Sequence, residues 1–281
     1  MKRVEDDFFE QKLSDIKKKF PENTLFYLNN WNPAGYYAKS IDSIYLNSLK
    51  IMAFFNFSSK KKLSSLKFGS IGNTSIYHKG QKNLLGKLLL FLTQKLINKS
   101  FSYELENLLG SRFKIENILF HSTSSINSKE FFSYSEDPKV NSNHINFFHY
   151  DTTPPNVVKI MIYLSKHVSS ENGAFRYIPE SFKLNNKKKN WYLSKVVRDN
   201  YFNTDYKSLL RFYSLKKTYQ KRNTFAYLLE DNVYKKKLDN AAVVFESPLN
   251  MILFNPLGIH TGGFCYKGKR KALQVTLTKC N

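Results

Sequence analysis

A strict two-residue alternation between positions 157 and 164 limits most strongly what this chain can fold into. In an extended strand successive side chains point to opposite faces, so this pattern predicts a β-strand with two different faces. One set is Val158, Ile160, Ile162 and Leu164, and the other is Val157, Lys159, Met161 and Tyr163. Residues 169–173, Ser-Ser-Glu-Asn-Gly, predict a turn, and residues 174–178 predict the return strand before Pro179.

Further short strands are predicted on both sides of residues 157–178. We expect them at residues 113–120, 242–245, 251–254 and 272–278. In the first of these, Ile115, Ile118 and Phe120 are the candidates for the inward face. Residues 122–143 are polar and have no clear periodicity, which predicts a loop.

Apolar residues at helical spacing predict helices in the N-terminal part. They cover residues 4–20 and 85–96, and residues 102–109 continue the second helix until Gly110 ends it. Residues 51–55 fit a strand or a short helix equally well. The sequence therefore predicts a mainly β protein with packed helices.

The formal charge of +22 has two interpretations. A polyanionic partner, such as nucleic acid or an anionic membrane surface, would explain it. The codon bias of an A/T-rich genome would also explain it, since Lys, Asn, Phe, Tyr and Ile are abundant. Residues 183–237 carry fifteen Lys and Arg against four Asp and Glu, half of the surplus. We interpret residues 184–240 as a basic helical insertion or lid, with Trp191 and Tyr192 packed where it begins.

Cysteine use and hydropathy suggest a cytoplasmic protein. Cys265 and Cys280 form neither a disulfide framework nor a CxxC metal pair. No signal peptide is predicted at the N-terminus. The most apolar run, residues 84–97, contains Lys87 and Lys95 and is too short and too charged to span a bilayer.

Three polar positions beside the predicted strands form a candidate metal site. His149 and Asp151 are two residues apart, so in extended backbone both side chains leave the same face. His260 follows the strand at 251–254, and Arg270 comes ten residues after it. Two histidines and one carboxylate on one side of an ion are typical of Fe(II) enzymes that activate O₂. A His-x-Asp triplet alone is weak evidence for a metal site, because each of the six histidines could equally be an ordinary surface or hydrogen-bonded residue.

The order of the motifs resembles the phytanoyl-CoA dioxygenase-like family of Fe(II)- and 2-oxoglutarate-dependent oxygenases. The resemblance covers residues 144–183 and 241–278. Its first elements are the His-x-Asp triplet, the Glu171-Asn172-Gly173 turn and the segment Pro179-Glu180-Ser181-Phe182-Lys183. The last element is a hydrophobic strand that leads to His260, followed by Arg270 and a further strand. The family has a Pro-Gly-Ser-His-Lys type of segment, so Glu180 and Phe182 depart from its pattern.

The resemblance implies a role for each matching residue. His149, Asp151 and His260 would hold Fe(II), and Arg270 would bind the distal carboxylate of 2-oxoglutarate. Thr261 could donate its hydroxyl to this cosubstrate. Lys159, Met161 and Tyr163 would face the pocket if Val158 and Ile160 face a second sheet.

The implied fold is a double-stranded β-helix, the cupin-like jelly roll. Residues 1–281 would form one oxygenase domain, with residues 1–110 supporting the core and residues 144–183 and 241–278 binding the metal.

The implied activity is that of a 2-oxoglutarate-dependent dioxygenase. It would use O₂ to hydroxylate an unactivated C–H bond of a small molecule and release succinate and CO₂. Related halogenases carry a small residue at the carboxylate position, so Asp151 favours hydroxylation, while desaturation and cyclisation stay open. The positive charge suggests a phosphorylated or carrier-linked substrate. The alternatives are a basic protein that binds nucleic acid or an anionic surface without turnover, and a barrel that has lost its activity.

Overall fold

The structure is a computed structural model of the 281-residue chain. It describes most of residues 4–124 and 150–201 and nearly all of residues 240–280, with some isolated positions between 211 and 219. The described ranges are 4–24, 28–41, 43–58, 63–64, 72–78, 84–110, 112–124, 150–151, 153–185, 188–201, 211, 214–216, 219, 240–262, 265 and 267–280.

Helices dominate the N-terminal part of the chain. They are α1 (Val4–Lys19), α2 (Ser43–Ser58) and α3 (Leu84–Leu109), followed later by the short α4 (Phe182–Asn185) and by α5 (Lys188–Tyr201). Helix α1 has acidic residues in its first turn and lysines in its last, which suits the helix dipole. Helix α3 is kinked at Phe101 and is followed by Gly110 at φ 84°, a conformation that glycine adopts without strain.

The strands form two antiparallel sheets. They are β1 (Tyr36–Lys39), β2 (Leu63–Ser64), β3 (Gly72–His78), β4 (Phe113–Ser124), β5 (Val157–Tyr163), β6 (Phe175–Tyr177), β7 (Val243–Phe245), β8 (Met251–Phe254), β9 (His260–Thr261) and β10 (Lys269–Lys279). The larger sheet has the order β1-β8-β5-β10-β4-β3-β2, and the smaller has the order β7-β6-β9. Neighbours far apart in sequence therefore pair in space, as in a jelly roll.

The two faces of the large sheet pack against different partners. Val158, Ile160 and Ile162 of β5 belong to the same buried cluster as residues of α1, α2, α3 and α5. Met161 and Tyr163 belong to the other cluster, together with Phe175 and Tyr177 of the small sheet. A second sheet was the condition set for an inward direction of Lys159, Met161 and Tyr163, but the helices cover the face of Val158 and Ile160. The alternate residues of β5 face the small sheet.

Most expectations for the fold are confirmed, but the strand predicted to return at residues 174–178 is β6 of the small sheet, which pairs with β7 and β9 and not with β5. Mainly antiparallel sheets with packed helices are present, and residues 51–55 belong to a helix. Strand β4 extends to Ser124, beyond the predicted end at residue 120, because its last residues continue to pair with β3 and β10. Trp191 and Tyr192 are buried as expected. Of the basic segment 184–240, the structure describes α5 and a few later residues, so the prediction of a helical insertion falls largely outside the described residues.

A register shift in β4 decides which of its side chains face the interior. Leu277 of β10 pairs with Ile115, whereas Thr276 pairs with Asn117, so Glu116 is an extra residue between them. Ile115 and Ile118 therefore both pack against the helices although they are three positions apart.

Among the helices of the described residues, none combines the length and the hydrophobicity needed to span a bilayer.

Candidate functional site

Asp151 and His260 approach each other between the two sheets. Asp151 precedes β5, and its backbone N–H donates to the carbonyl of Pro256 just after β8, at 2.7 Å. His260 lies on β9, opposite Tyr177 of β6. The distance from Asp151 Oδ2 to His260 Nε2 is 3.5 Å, and both residues are buried. The fold thus brings together two side chains from distant parts of the sequence.

The tautomer of His260 follows from its hydrogen bond to the backbone. Nδ1 lies 2.8 Å from the carbonyl oxygen of Gly258, and a carbonyl can only accept, so Nδ1 donates. In the neutral imidazole, Nε2 then carries a lone pair directed toward Asp151 Oδ2. A backbone carbonyl that orients an imidazole in this way is the usual outer partner of a metal-ligating histidine.

Lys159 places a cation beside this pair. Its Nζ donates to Asp151 Oδ2 at 2.7 Å, and both side chains are nine-tenths buried. Lys159 belongs to the interior face of β5, as its place between Val158 and Ile160 requires. A buried carboxylate needs a positive neighbour, and Lys159 supplies one in this arrangement.

Helix α5 holds the segment around Asp151. The hydroxyl of Tyr150 donates to Ser194 Oγ at 2.5 Å, and Trp191 Nε1 donates to the carbonyl of Thr153 at 2.8 Å. Tyr150 is therefore directed to the helix, and the first part of the segment 184–240 supports the site by packing.

Arg270 is a buried guanidinium on the interior face of β10. Its side chain is 2% exposed, and Nη1 donates to the carbonyl oxygen of Gly262. Burial lowers the pKa of Arg270, and nearby Tyr163 and Cys265 oppose that shift. Lys269 and Lys271 on either side are exposed, so β10 directs the arginine inward between two surface lysines.

Two further predicted site residues are His149 and Thr261. His149 lies outside the described residues. His149 apart, no group of three potential metal ligands occurs within the described ranges, where Asp151 and His260 form a pair. Thr261 is buried and pairs with Arg176, whereas His260 pairs with Tyr177. Adjacent residues of a strand point to opposite faces, so Thr261 leaves β9 on the side opposite to His260.

The segment after β6 positions the strand of His260. Ser181 Oγ accepts the N–H of Ile259 at 2.7 Å and donates to the carbonyl of Ile178 at 2.6 Å. Glu180 has φ 63°, in the left-handed region that favours glycine. The family that the sequence resembles has glycine at this position of its motif, and Glu180 here adopts a backbone conformation that glycine favours.

Gly258 makes a close approach to Tyr177. A Cβ at this position would overlap the phenol oxygen and ring of Tyr177, which is fully buried beside His260. We expect Gly258→Ala to destabilise the protein by roughly 1–3 kcal/mol, as overpacking does. Thermal unfolding measures the change. Tyr177→Phe removes the overlapping oxygen, so the double variant should lose less than the sum of both single losses. Strict additivity would contradict the packing described here.

His121 is a buried histidine on the same face of the large sheet as Arg270, and no sequence pattern singled it out. It lies on β4, beyond the predicted end of that strand, and its side chain is 9% exposed. Burial is the main cause that lowers the pKa of His121 from 6.5 to about 4, and the positive charges of Arg270 and Lys159 add to it. The imidazole is therefore neutral at pH 7 and faces the same interior as Arg270.

The depressed pKa of His121 predicts a pH-dependent stability. Between pH 6.5 and about 4 the unfolded imidazole binds a proton that the folded one does not. Unfolding therefore becomes easier as the pH falls through this window, by at most about 3 kcal/mol. Chemical denaturation across this window should show a shallower pH dependence for His121→Leu than for the wild type. The exposed His167 provides the control, since His167→Leu should keep the wild-type slope; identical slopes for all three proteins would contradict the assignment.

Comparison with solved structures identifies the fold. The structure matches the non-heme alpha-ketoglutarate-dependent epimerase SnoN from nogalamycin biosynthesis with a TM-score of 0.51, 11% sequence identity, and coverage of 97% of this chain and 84% of SnoN. The carbocyclase SnoK from nogalamycin biosynthesis gives a TM-score of 0.49, 7% identity, and coverage of 90% and 82%. EctD from S. alaskensis with bound Fe gives a TM-score of 0.47, 11% identity, and coverage of 89% and 74%.

At 11% identity, the likeness to SnoN shows a shared fold. The SnoN match, which spans nearly the whole chain, supports the predicted jelly-roll architecture. No protein-family model matches the sequence, and no curated protein does. Any assignment of chemistry therefore depends on the residues between the two sheets.

Proposed function

We propose that this protein is an Fe(II)- and 2-oxoglutarate-dependent oxygenase that hydroxylates an unactivated C–H bond of a small molecule. The observation that carries the proposal is the buried pair of Asp151 Oδ2 and His260 Nε2, 3.5 Å apart, with Nδ1 of the imidazole held by the carbonyl of Gly258. With Nδ1 as the donor, the neutral imidazole would offer Nε2 to a metal ion that Asp151 also binds. Arg270 adds a buried guanidinium to the same interior.

The donor set fits a divalent first-row metal. Bonds of about 2.1 Å to nitrogen and oxygen place two adjacent ligand atoms about 3 Å apart, close to the separation of Asp151 and His260. The carbonyl of Gly258 already fixes the tautomer that leaves Nε2 able to ligate. In the proposal His149 is the third ligand, which completes the facial arrangement typical of non-haem Fe(II) oxygenases.

The residues of the chain bind and orient the reactants. Asp151, His260 and His149 would hold Fe(II), which supplies O₂ activation when bound. Arg270 would grip the distal carboxylate of 2-oxoglutarate with its planar fork. The aromatic residues between the sheets, Phe175, Tyr177 and Phe254, exclude water from the reacting centre. The balanced reaction is R–H + O₂ + 2-oxoglutarate → R–OH + succinate + CO₂.

The proposed substrate is a small anionic molecule, phosphorylated or carrier-linked. The formal charge of +22 supports an anion, since a basic surface raises the local concentration of anionic partners. In this proposal residues 184–240 contribute a lid over the single oxygenase domain. Helix α5, at the start of that segment, already contacts the residues next to Asp151.

The variant Lys159→Met tests the proposed metal site without any substrate. Without metal, Lys159→Met removes the ammonium group beside the buried carboxylate of Asp151, and we expect a loss of about 3–5 kcal/mol in stability. A bound divalent cation replaces that charge, so Co(II) should raise the melting temperature of Lys159→Met more than that of the wild type. Lys271→Met, at an exposed position of β10, is the matched control. Equal metal-induced shifts in Lys159→Met and the wild type would argue against a metal at Asp151.

The reaction itself is tested by product analysis. Purified protein with Fe(II), ascorbate and 2-oxoglutarate should release succinate in air, and anionic metabolite mixtures should increase the rate. With ¹⁸O₂, hydroxylation adds a labelled oxygen atom to the substrate, whereas cyclisation or desaturation removes two hydrogen atoms and adds none. Products that lack the label would reject hydroxylation, and the absence of succinate from folded, iron-loaded protein would reject the oxygenase.

A further inference from the structure

A second polar cluster surrounds Ala272 on the interior face of the large sheet. Ala272 pairs with Tyr163 of β5 on one side and with His121 of β4 on the other. Arg270 is two residues before Ala272 on β10 and therefore shares its face. Opposed residues on neighbouring antiparallel strands have Cβ atoms about 5 Å apart, and diagonal neighbours remain within reach of long side chains. Three polar side chains thus surround a very small one.

His121 is buried, and the structure gives neither of its ring nitrogens a hydrogen bond of good geometry. Its side chain is 9% exposed, and among the described residues neither Nδ1 nor Nε2 has a group within hydrogen-bonding geometry. Gln274 lies near enough to raise the pKa of His121 in part, but it does not satisfy either nitrogen within that geometry. Buried polar groups are nearly always paired, so an unpaired imidazole facing an interior site indicates a ligand that completes it.

Tyr163, on the other side of Ala272, can also donate a hydrogen bond to a ligand. Its hydroxyl oxygen accepts the backbone N–H of Phe175 at 2.5 Å, which leaves the hydroxyl hydrogen to be donated. Burial raises the pKa of Tyr163 to about 12. Tyr163 and His121 are therefore both neutral at pH 7, and each can donate one hydrogen bond without adding a positive charge to that of Arg270.

We propose that His121, together with Tyr163, binds the distal carboxylate of 2-oxoglutarate that Arg270 anchors. The inference rests on the proposed function and assigns a cosubstrate-binding role to His121. A carboxylate offers about four acceptor directions on its two oxygens. The guanidinium fork takes two of them, and the hydroxyl of Tyr163 and the imidazole N–H of His121 take the others. Because the side chain of Ala272 is only a methyl group, the space between these two donors is left for the carboxylate.

The test compares two 2-oxoacids that differ at the distal end. 2-Oxopentanoate has a methyl group where 2-oxoglutarate has its distal carboxylate, and both share the 2-oxoacid end. Calorimetric titrations use Fe(II)-loaded protein under nitrogen. We expect His121→Leu to weaken 2-oxoglutarate binding roughly ten- to hundredfold, as the loss of a hydrogen bond to a charged group does. Its affinity for 2-oxopentanoate should equal that of the wild type, and His167→Leu should bind both ligands as the wild type does.

A spectroscopic measurement on the wild-type protein covers the case in which His121→Leu does not fold. In Zn(II)-substituted protein with ¹⁵N-labelled histidine, 2-oxoglutarate should shift the ring nitrogen signals of His121, and 2-oxopentanoate should leave them in place. Unchanged signals with both ligands, or equal losses of affinity for both ligands in folded His121→Leu, would overturn the role of His121 while the oxygenase stands. Failure of the wild type to bind 2-oxoglutarate at all would overturn both.

Discussion

His260→Ala is expected to lower metal affinity by more than about a hundredfold, because changes to outer partners of a ligand alone cost ten- to a hundredfold. The variant removes Nε2, which lies 3.5 Å from Asp151 Oδ2, and leaves Lys159 in place as the counterion of that carboxylate. The fold should therefore survive the change. Titration with Co(II), followed by its visible absorption, measures the affinity.

The matched control for this prediction is another histidine of the same chain. His167 is exposed, and His167→Ala should bind Co(II) as the wild type does. Circular dichroism establishes that both variants are folded. Wild-type affinity in folded His260→Ala would remove His260 from the metal site and with it the main support for the proposed chemistry.

Arg270→Ala is expected to raise the dissociation constant of 2-oxoglutarate by about a hundredfold or more. Truncation of one partner of a buried, hydrogen-bonded charge pair costs 2–5 kcal/mol or more, and each 1.4 kcal/mol is about tenfold in affinity. Arg270→Lys keeps the charge but loses the planar fork, so its affinity should lie between those of Arg270→Ala and the wild type. Anaerobic calorimetry on the metal-loaded proteins measures all three.

Variants of the two lysines beside Arg270 on β10 distinguish a specific contact of Arg270 with 2-oxoglutarate from a general effect of positive charge. Lys269 and Lys271 are exposed and flank the buried arginine. Lys269→Ala and Lys271→Ala each remove one positive charge, yet they should bind 2-oxoglutarate as the wild type does. Comparable losses in these lysine variants and in Arg270→Ala would mean that bulk charge, and not a buried anchor, attracts the cosubstrate.

The period of two at β5 carried the most information in the sequence. It predicted the strand and its two faces, because only an extended chain alternates in this way. It did not decide which element covers each face, and a second sheet was only a condition for the apolar one. Alternation says which residues share a face, but the element that covers the face is decided by tertiary packing, and here the helices cover it.

The approach of Asp151 and His260 to each other could be expected from the motif order alone, through the family that the sequence resembles. The ion pair of Lys159 with Asp151 could not. It depends on the place where the segment before β5 folds back on the end of β8, through the hydrogen bond from Asp151 to Pro256. No local pattern in the sequence encodes that contact.

The inward direction of His121 was not predicted because the register of β4 shifts before it. Strict alternation from Ile115 would place His121 on the face that packs against the helices. The extra residue at Glu116 shifts the register, so that His121 pairs with Ala272 and faces the interior. A signal was available in the sequence, since Ile115 and Ile118 are both apolar at a spacing of three, which an undisturbed strand does not favour.

The most direct test of the central claim is an anaerobic titration of Fe(II)-loaded protein with 2-oxoglutarate, followed by visible absorption. A 2-oxoacid chelated to Fe(II) gives a weak charge-transfer band in this region. The band should appear in the wild type, be absent in His260→Ala, and require much more cosubstrate in Arg270→Ala. A folded, iron-loaded wild-type protein that shows no band at saturating 2-oxoglutarate would contradict the assignment of this site to an oxygenase.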